Sequence, residues 1–317
     1  MDLIEDFTLK NRLILWIEQY LFEPNWFQKF ISFLLLPLSL IYTIIVSIKR
    51  FQKTPKDYGI PIISIGNLTV GGSSKTPFIL SLLKHFDNSC VILRGYKRES
   101  SGMIVVSLNG NIKSNIKDAG DEAMLYAPHT TVIVSEDRTK AIKEAIKLGI
   151  KQIFLDDGFN KTNIKKYDIL LHNKKSPTNI FTLPSGCYKE PKYFAKYADL
   201  NLTEYKDYTK QTILQKPTKN MILVTGISKP SRLNEYLPTD IKQKIYFPDH
   251  YNFKKEEIEK LIHKYKATSI LCTTKDYTKL KDFDIDISLL ELNIKIDDEV
   301  IEMIRKYIEE VSYSLNS

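Results

Sequence analysis

The sequence predicts an α/β fold in which a mostly parallel β-sheet is covered by helices. Three observations lead to this prediction. Short β-branched and apolar runs alternate with helix-like segments after Tyr58, which is typical of strand–helix–strand units. A second series of such runs begins near Met221. The chain has 317 residues, of which 43% are hydrophobic, and this is enough for one large core or two moderate ones. We therefore expect two α/β lobes.

A helical segment is predicted in front of both lobes. The expected domains are a membrane-associated helical segment at residues 1–50, a core at 51–205, and a smaller C-terminal α/β lobe at 206–317. The boundary near residue 205 falls in a stretch, residues 185–220, that is rich in Lys, Tyr, Pro and Thr and is interpreted as a connector.

Residues 31–48 are the candidate membrane segment, with eighteen successive residues that carry no charge. This length is at the lower limit for crossing a hydrocarbon core of about 30 Å. A buried core helix is the alternative, but Pro37 would kink it and the run shows no polar stripe. Aromatic and basic residues flank the run as interfacial anchors do: Trp26, Phe27 and Lys29 before it, and Lys49, Arg50, Lys53 and Lys56 after it. Residues 11–22 resemble a separate amphipathic interfacial helix.

Charge and cysteine content limit the classes of partner. The formal net charge of +8 comes from lysines and arginines spread along the chain, so a dedicated nucleic-acid surface is not expected. An anionic membrane face or a phosphorylated substrate would use the same excess. Cys90, Cys187 and Cys272 have no zinc-site spacing, which fits a reducing cytoplasmic compartment.

The strands are predicted from short apolar runs at 61–65, 90–93, 131–134, 152–155 and 168–171, followed by runs from 221, at 244–247 and at 269–272. The clearest helix between them is expected to begin after Ser135 as N-cap and to stop at Gly149. An amphipathic helix is expected from about Asp297.

A phosphate-binding loop is predicted where the first strand meets a helix-like segment. Lys75 would neutralise β- and γ-phosphate oxygens, and the Thr76 hydroxyl would ligate magnesium, while backbone N–H groups hold the β-phosphate. The pattern GxxxxGK[ST] is not strictly met, so an ordinary glycine-rich turn remains the alternative. The residues predicted to bind nucleotide here are Thr69, Val70, Gly71, Gly72, Ser73, Ser74, Lys75 and Thr76.

Asp156 and Asp157 end an apolar strand some eighty residues after the lysine, in the manner of a Walker B site. A carboxylate at that strand end holds the magnesium shell directly or through water. Taken alone, the same residues also suit a turn with a capping aspartate.

Candidates for activating an attacking hydroxyl are Asp121 and His250. From the pattern alone, Asp121 is equally a helix N-cap and His250 a loop histidine. Arg94 and Arg138 follow strands on the edge of the sheet where ligands bind, and an arginine there can clamp a phosphate.

An ordered series of motifs carries a family resemblance from about Trp16 into the C-terminal part of the chain. The motifs are IGNLTVGGSSKTP, LRGY, AGDEAMLYA, SEDRTKAI, FLDDGF, TLPSGCYKEP, VTGISKP, FPDHYNF and TTKD. In this series the chain resembles the tetraacyldisaccharide 4′-kinases, also called lipid A 4′-kinases. The resemblance implies a P-loop NTPase-like α/β/α sandwich, a second smaller α/β lobe and an N-terminal membrane-associated helix. It also implies transfer of the ATP γ-phosphate to the 4′-hydroxyl of a tetraacylated glucosamine disaccharide 1-phosphate.

By the same resemblance, Asp121 would be the general base, His250 its partner, and Lys75 the catalytic lysine. Arg138 would contact phosphates, and Thr76, Asp156 and Asp157 would hold the metal. Tyr96 and Glu190 would line the site. The implied cofactors are ATP and Mg²⁺, and the implied partners are the lipid-linked disaccharide and the inner-leaflet membrane face, with no nucleic acid and no obligate protein partner. The expected location is the cytoplasmic face of the bacterial inner membrane.

The sequence departs from the family pattern in three places: Ser74 replaces the glycine before the lysine, Phe159-Asn160-Lys161 replaces FQH, and Lys189 replaces an arginine. Two alternatives of other classes are a membrane-docked P-loop GTPase or ATPase that regulates a partner protein, and a non-catalytic membrane adaptor. Thr274-Lys275-Asp276 resembles a guanine-reading NKxD motif, but its aspartate stands one position too early.

Overall fold

The computed structural model describes residues 2–71, 74–227 and 229–316, with side chains described from residue 12 to residue 313 within these ranges. The chain forms two compact units. The large unit comprises Pro24–Lys210 and Ile294–Ser317, and the small unit comprises Met1–Glu23 and Gln211–Asn293. These units differ from the predicted domains at both ends of the chain. The first helix groups with the small unit and the last helix with the large unit.

The helices are α1 (Asp2–Phe22), α2 (Trp26–Leu34), α3 (Leu36–Phe51), α4 (Lys75–Leu82), α5 (Ile116–Ala119), α6 (Asp121–Tyr126), α7 (Arg138–Lys147), α8 (Lys255–Tyr265), α9 (Thr274–Leu280) and α10 (Asp298–Asn316). The strands are β1 (Ile62–Gly66), β2 (Ser89–Leu93), β3 (Ile104–Leu108), β4 (Asn111–Ile112), β5 (Thr131–Val134), β6 (Gln152–Asp156), β7 (Tyr167–His172), β8 (Leu200–Thr203), β9 (Tyr208–Gln215), β10 (Met221–Thr225), β11 (Gln243–Tyr246), β12 (Ser269–Thr273) and β13 (Ile287–Ile296). Short 3-10 helices cover Lys192–Tyr197 and Pro230–Glu235.

The large unit is built on an eight-stranded sheet in the order β4-β3-β5-β2-β6-β1-β7-β8. Its pairs are parallel except those of β3, which are antiparallel. β1 lies between β6 and β7, and Ile65 pairs with Asp156. The end of β6 therefore lies directly beside the start of the loop that follows β1. The prediction of a mostly parallel α/β sheet is confirmed.

Alternate residues of each central strand pack on opposite faces of this sheet, as expected for strands buried on both sides. Ile63 of β1 packs with Phe78 of α4 and Ile304 of α10 in one core cluster. Ile62 packs with Ile142 of α7 in the other. Helices therefore cover both faces, and α10 belongs to the large unit because it covers one of them.

The small unit contains a five-stranded sheet in the order β11-β10-β12-β13-β9. β10 pairs in parallel with β11 and with β12, so the second predicted strand series is confirmed. Helix α1 joins this unit because Ile14 packs beside the cluster around Met221 and Leu223. The Ser231 hydroxyl also donates a hydrogen bond to Glu18.

The apolar run at 31–48 forms two helices, α2 and α3, that bend by 59° at a break between them. Pro37 lies in the first turn of α3, where the missing N–H costs no helical hydrogen bond. Among the described residues, no single helix is long and apolar enough to cross a bilayer, although this bent pair passes the same test jointly. The prediction that the run has no polar stripe is wrong. Ser32 and Ser39 are buried, while the large apolar side chains point outward. The serines therefore form the polar side of the helix pair, a pattern that the apolar composition of the run conceals.

Several local predictions are also corrected. Asp137, not Ser135, caps α7 by accepting a hydrogen bond from the N–H of Thr139, because its carboxylate is closer to the first turn. Ser135 instead donates its hydroxyl to the carbonyl of Asp137 at 2.8 Å. The stretch at 185–220 is more than a connector, since β8 pairs with β7 inside it.

Candidate active site

The loop after β1 is the candidate phosphate-binding loop. β1 ends at Gly66 and α4 begins at Lys75, so the loop leads directly into a helix N-terminus. Gly71 has a φ of 86°. A Cβ on Gly66 would lie 2.8 Å from the Cβ of Phe159, which means that the loop starts in close contact with the DDGF segment. Gly72 and Ser73, both predicted to bind nucleotide, lie outside the described residues.

A second segment of the chain, residues 179–190, supports this loop from one side and is called here the bracing segment. Thr69 forms a bridge with Tyr188, and the N–H of Val70 donates to the carbonyl of Cys187 at 2.7 Å. The N–H of Val70 is thus occupied by protein in this conformation, and a role for it in nucleotide binding stays a prediction.

Ser74 occupies the position at which the resemblance leads one to expect glycine. It adopts a left-handed conformation, with φ 61° and ψ 26°, and its side chain makes no capping hydrogen bond. A residue with a Cβ is strained in that region by roughly 1–2 kcal/mol. The glycine of the family pattern is therefore explained by backbone conformation.

We expect Ser74→Gly to raise the free energy of unfolding by about 1 kcal/mol, because glycine adopts this conformation without strain. Nucleotide affinity should stay equal or improve. Chemical denaturation of the two proteins measures the difference, and Ser101→Gly, at an exposed position without a positive φ, is the control for glycine's effect on the unfolded chain. A variant less stable than the parent would contradict the argument.

Lys75 extends from the first residue of α4 towards the end of β6. Its Nζ donates to Oδ1 of Asn67 at 3.0 Å and lies 3.7 Å from Oδ1 of Asp157. Asn67 in turn donates to the carbonyl of Thr69 at 2.7 Å. The ammonium group is therefore held between the loop and the acidic strand end, where it can reach phosphate oxygens.

Asp156 is buried at the end of β6. Burial raises its pKa, an effect opposed by the positive charge of Lys75. The hydroxyl of Tyr126, from α6, donates to Oδ2 of Asp156 at 2.9 Å. Tyr126 also interacts with the hydroxyl of Thr76, and burial raises the pKa of Tyr126 well above its usual value. Tyr126 remains protonated and connects two of the three residues predicted to hold magnesium, Thr76 and Asp156.

Asp157 follows Asp156 with a left-handed φ of 54°. Its side chain is 46% exposed. Partial desolvation by the surrounding protein acts to raise the pKa of Asp157, but the ammonium groups of Lys75 and Lys189 have the larger effect and lower it. Lys189 donates to Oδ1 of Asp157 at 2.7 Å. Asp157 is thus ionised and held by two cations.

Further cations surround the two carboxylates. The guanidinium of Arg138 donates to the carbonyl of Ser135 at 2.5 Å, and its Nε is buried without a hydrogen-bond partner among the residues that the structure describes. Burial lowers its pKa to about 10, while Asp156 and Asp157 act in the opposite direction. Burial also lowers the pKa of Lys161, assisted by repulsion from Arg138 and Arg94. Cations that repel one another around a pair of carboxylates suit a polyanion with a bridging metal ion.

Asp121 is the first residue of α6, and its Oδ1 accepts a hydrogen bond from the N–H of Glu122 at 2.9 Å. Gly120 precedes it with a φ of 86°, and a Cβ there would lie 3.3 Å from the carbonyl of Tyr96. This close approach joins α6 to the segment after β2. Because α6 carries both Asp121 and Tyr126, the candidate base and the partner of Asp156 belong to one short helix.

His250 belongs to the small unit and has a left-handed φ of 62°. Its N–H donates to the carbonyl of Gly226 at 3.1 Å, and its Nε2 lies 3.1 Å from Nζ of Lys275. Lys275 also donates to Asp249 at 3.0 Å. The TTKD motif, rejected as a guanine-reading element, therefore contributes the lysine that contacts His250.

The structure brings together five of the predicted site residues of the large unit, namely Lys75, Thr76, Arg138, Asp156 and Asp157. Sequence reasoning did not identify Tyr126, Asn67 or the pairing of Lys189 with Asp157. Nothing in the residue pattern separates these three from ordinary loop and helix residues. The fold is that of a P-loop NTPase-like protein, and the candidate site contains a lysine beside two carboxylates.

Comparison with known proteins identifies the family. The family model described as LpxK, tetraacyldisaccharide-1-P 4′-kinase, matches residues 31–309. The tetraacyldisaccharide 4′-kinase of Aliarcobacter butzleri is 54% identical over 303 residues, which is 92% of this chain and 96% of the relative. That of Helicobacter acinonychis is 46% identical over 301 residues, which is 94% of this chain and 96% of the relative.

A solved structure agrees with this result. The crystal structure of the "apo" form of LpxK from Aquifex aeolicus in complex with ATP matches with a TM-score of 0.72 and 30% identity, covering 89% of this chain and 100% of that chain. The chain belongs to the LpxK family of tetraacyldisaccharide-1-phosphate 4′-kinases. The family and the P-loop NTPase-like fold predicted from the sequence are confirmed, and the comparisons support neither a regulatory GTPase nor an adaptor.

Proposed function

We propose that this protein is an ATP-dependent kinase that transfers the γ-phosphate to the 4′-hydroxyl of tetraacyldisaccharide 1-phosphate in lipid A biosynthesis. In a chain of this family, the supporting observation is the approach of Lys75 to Asp157, 3.7 Å apart, beside the buried Asp156. This is the arrangement that a magnesium–triphosphate group needs: a cation for β- and γ-oxygens, and carboxylates for the metal shell.

The residues that would hold Mg²⁺ are Thr76, Asp156 and Asp157, and the bound ion supplies charge neutralisation on the transferring phosphate. Tyr126 orients Asp156 through its hydroxyl, which donates at 2.9 Å. Lys75 and Arg138 balance negative charge on the phosphates. Phosphoryl transfer depends mainly on such positioning and neutralisation. The contributions of Thr69, Val70, Gly71, Gly72, Ser73 and Ser74 to nucleotide binding belong to the same proposal.

Asp121 is proposed to accept the proton of the attacking hydroxyl, with His250 as its partner. The support for Asp121 is its place on the helix that also carries Tyr126. The support for His250 is its motif and its contact with Lys275, whose Nζ lies 3.1 Å from Nε2.

Transfer of a radiolabelled γ-phosphate to purified disaccharide acceptor in detergent micelles tests the proposed activity. The proposal expects a labelled lipid product that depends on magnesium. Nucleotide hydrolysis without labelled lipid would indicate a GTPase or ATPase, and the absence of both reactions would indicate an adaptor. Either result overturns the proposal.

Membrane association through α2 and α3, at the cytoplasmic face of the inner membrane, is also proposed. The support is the outward apolar surface of both helices, together with Lys49 in the last turn of α3 and Lys53 and Lys56 after it. The outward apolar residues include Phe30, Phe33, Leu38, Ile41 and Ile44. Apolar patches of this kind mark interaction surfaces.

We expect the double substitution Leu38→Ser and Ile41→Ser to weaken binding to phosphatidylglycerol vesicles at least tenfold, since burying one such side chain contributes about 1.5–3 kcal/mol. Vesicle co-sedimentation measures the effect. The matched control is Ile146→Ser with Met303→Ser, two apolar residues exposed elsewhere in the large unit. Equal binding by both variants would contradict a membrane role for α3.

A further inference from the structure

The polar side of α2 and α3 is bonded to the bracing segment. Ser32 donates to the carbonyl of Ser185 at 2.7 Å, and Ser39 to that of Thr182 at 2.8 Å. Tyr42 donates to the carbonyl of Lys189 at 2.8 Å. Three hydroxyls on one side of the helix pair therefore fix the pair to the bracing segment. The bracing segment in turn supports the phosphate loop.

The bracing segment continues this connection into the phosphate site. The N–H groups of Lys189 and Glu190 both donate to the carbonyl of Leu68, at 2.8 and 3.3 Å. The side chain of Lys189 reaches Asp157. A displacement of residues 189 and 190 would thus move the start of the phosphate loop and one candidate metal ligand together.

Arg50, at the C-terminal end of α3, enters this connection directly. Its side chain is 9% exposed and that of Glu190 is 7% exposed, and NH1 of Arg50 lies 3.4 Å from Oε2 of Glu190. Burial raises the pKa of Glu190, while the charge of Arg50 acts first among the neighbours to lower it. Loss of Arg50 would leave a buried carboxyl group without its main counter-charge.

The guanidinium of Arg50 also lies over three aromatic rings. The distances to the ring centroids are 4.3 Å for Phe159 and 5.0 Å for both Phe194 and Tyr197. The Cβ of Phe159 lies against Gly66 at the end of β1. A planar cation stacks on such rings, whereas an ammonium group replaces only part of this contact.

We propose that Arg50 is a positioning residue for the phosphoryl-transfer site, which holds Glu190 and Phe159 against the phosphate loop, and is not an interfacial membrane anchor. The inference rests on the proposed role of the phosphate loop. The proposal gives Arg50 a different role from Lys49, its exposed neighbour on α3, although both look like interfacial basic residues in the sequence.

The two roles predict different kinetics in nonionic micelles. If Arg50 positions the site, Arg50→Gln should lower kcat/KM for ATP roughly ten- to hundredfold, because small displacements of reacting groups slow the reaction strongly. The KM for the lipid acceptor should then stay within about twofold of the parent. Anchoring predicts a raised KM for the acceptor at unchanged kcat, as expected for Lys49→Gln, the matched control. An Arg50→Gln enzyme that matches Lys49→Gln overturns the proposal.

Two more conservative variants test the same proposal if Arg50→Gln is not folded, as judged by the absence of a cooperative melting transition. Arg50→Lys keeps the charge but not the planar stack, and Phe159→Leu keeps the contact with Gly66 but removes the ring. Both are expected to lower kcat/KM for ATP about three- to tenfold, and parent-like kinetics in both would overturn the proposal. Lys75→Ala is measured in parallel. If it also behaves like the parent, the phosphate-loop assignment has failed, whereas a large loss in Lys75→Ala alone overturns only the role of Arg50.

Discussion

Lys75→Ala is expected to lose both nucleotide affinity and catalytic rate. The ammonium group lies between Asn67 and Asp157, and its removal takes away the cation that would neutralise the β- and γ-oxygens. Loss of one preorganised charge-stabilising group typically lowers kcat by about 10²–10³-fold. Calorimetric titration with ATP and steady-state kinetics measure the two effects.

The control for this variant is Lys84→Ala. Lys84 is an exposed lysine that follows α4, so its loss removes the same charge without touching the loop. The control should bind ATP and turn over like the parent. Parent-like behaviour of Lys75→Ala as well would contradict the phosphate-loop assignment.

Asp121→Asn is expected to abolish most phosphoryl transfer while leaving ATP affinity within about twofold of the parent. Asparagine retains an oxygen that can accept the hydrogen bond from the N–H of Glu122, so α6 should keep its start. It cannot accept the proton of the substrate hydroxyl. General bases contribute about 10²–10⁴-fold to rate, and single-turnover transfer of radiolabel measures the loss.

Asp118→Asn, on the preceding helix α5, is the matched control for a change of charge near this position. The carboxylate of Asp118 accepts a hydrogen bond from Asn115 at 2.7 Å and is not among the predicted site residues, so the rate of this variant should match the parent. If Asp121→Asn were equally active, Asp121 would have to be removed from the role of base.

The sequence predicted the strands correctly where a run of β-branched residues marks the strand. Runs of β-branched residues at β1, β2, β5 and β6 located the central strands within one or two residues. The adjacency of Lys75 and Asp157 also followed, because parallel strands end at one edge of a sheet and β1 and β6 are neighbours. These are local properties that a short window of residues can contain.

Contacts between distant segments could not be predicted in the same way. Arg50 has the appearance of an interfacial anchor, since only the folded chain brings Phe159 and Glu190 to it. Ser32 and Ser39 are isolated hydroxyls in an apolar run, and their partners lie about 150 residues later. In the sequence, Tyr126 has the appearance of an ordinary residue of an apolar helix. Only the fold places its hydroxyl against Asp156.

Short capping geometry was a second source of error. Ser135 and Asp137 both suit a helix start, and the choice depends on the φ and ψ angles of the residues after β5. Ser74 likewise departs from the glycine pattern, although it adopts the left-handed conformation that glycine favours.

The most direct test of the central claim is a crystal structure of the protein with magnesium and a non-hydrolysable ATP analogue. We predict that the triphosphate lies against the loop that ends in Lys75 and Thr76, with the metal ion between the Thr76 hydroxyl and the carboxylates of Asp156 and Asp157. Nucleotide bound at another surface, with the Lys75–Asp157 contact intact and the loop empty, would contradict the account.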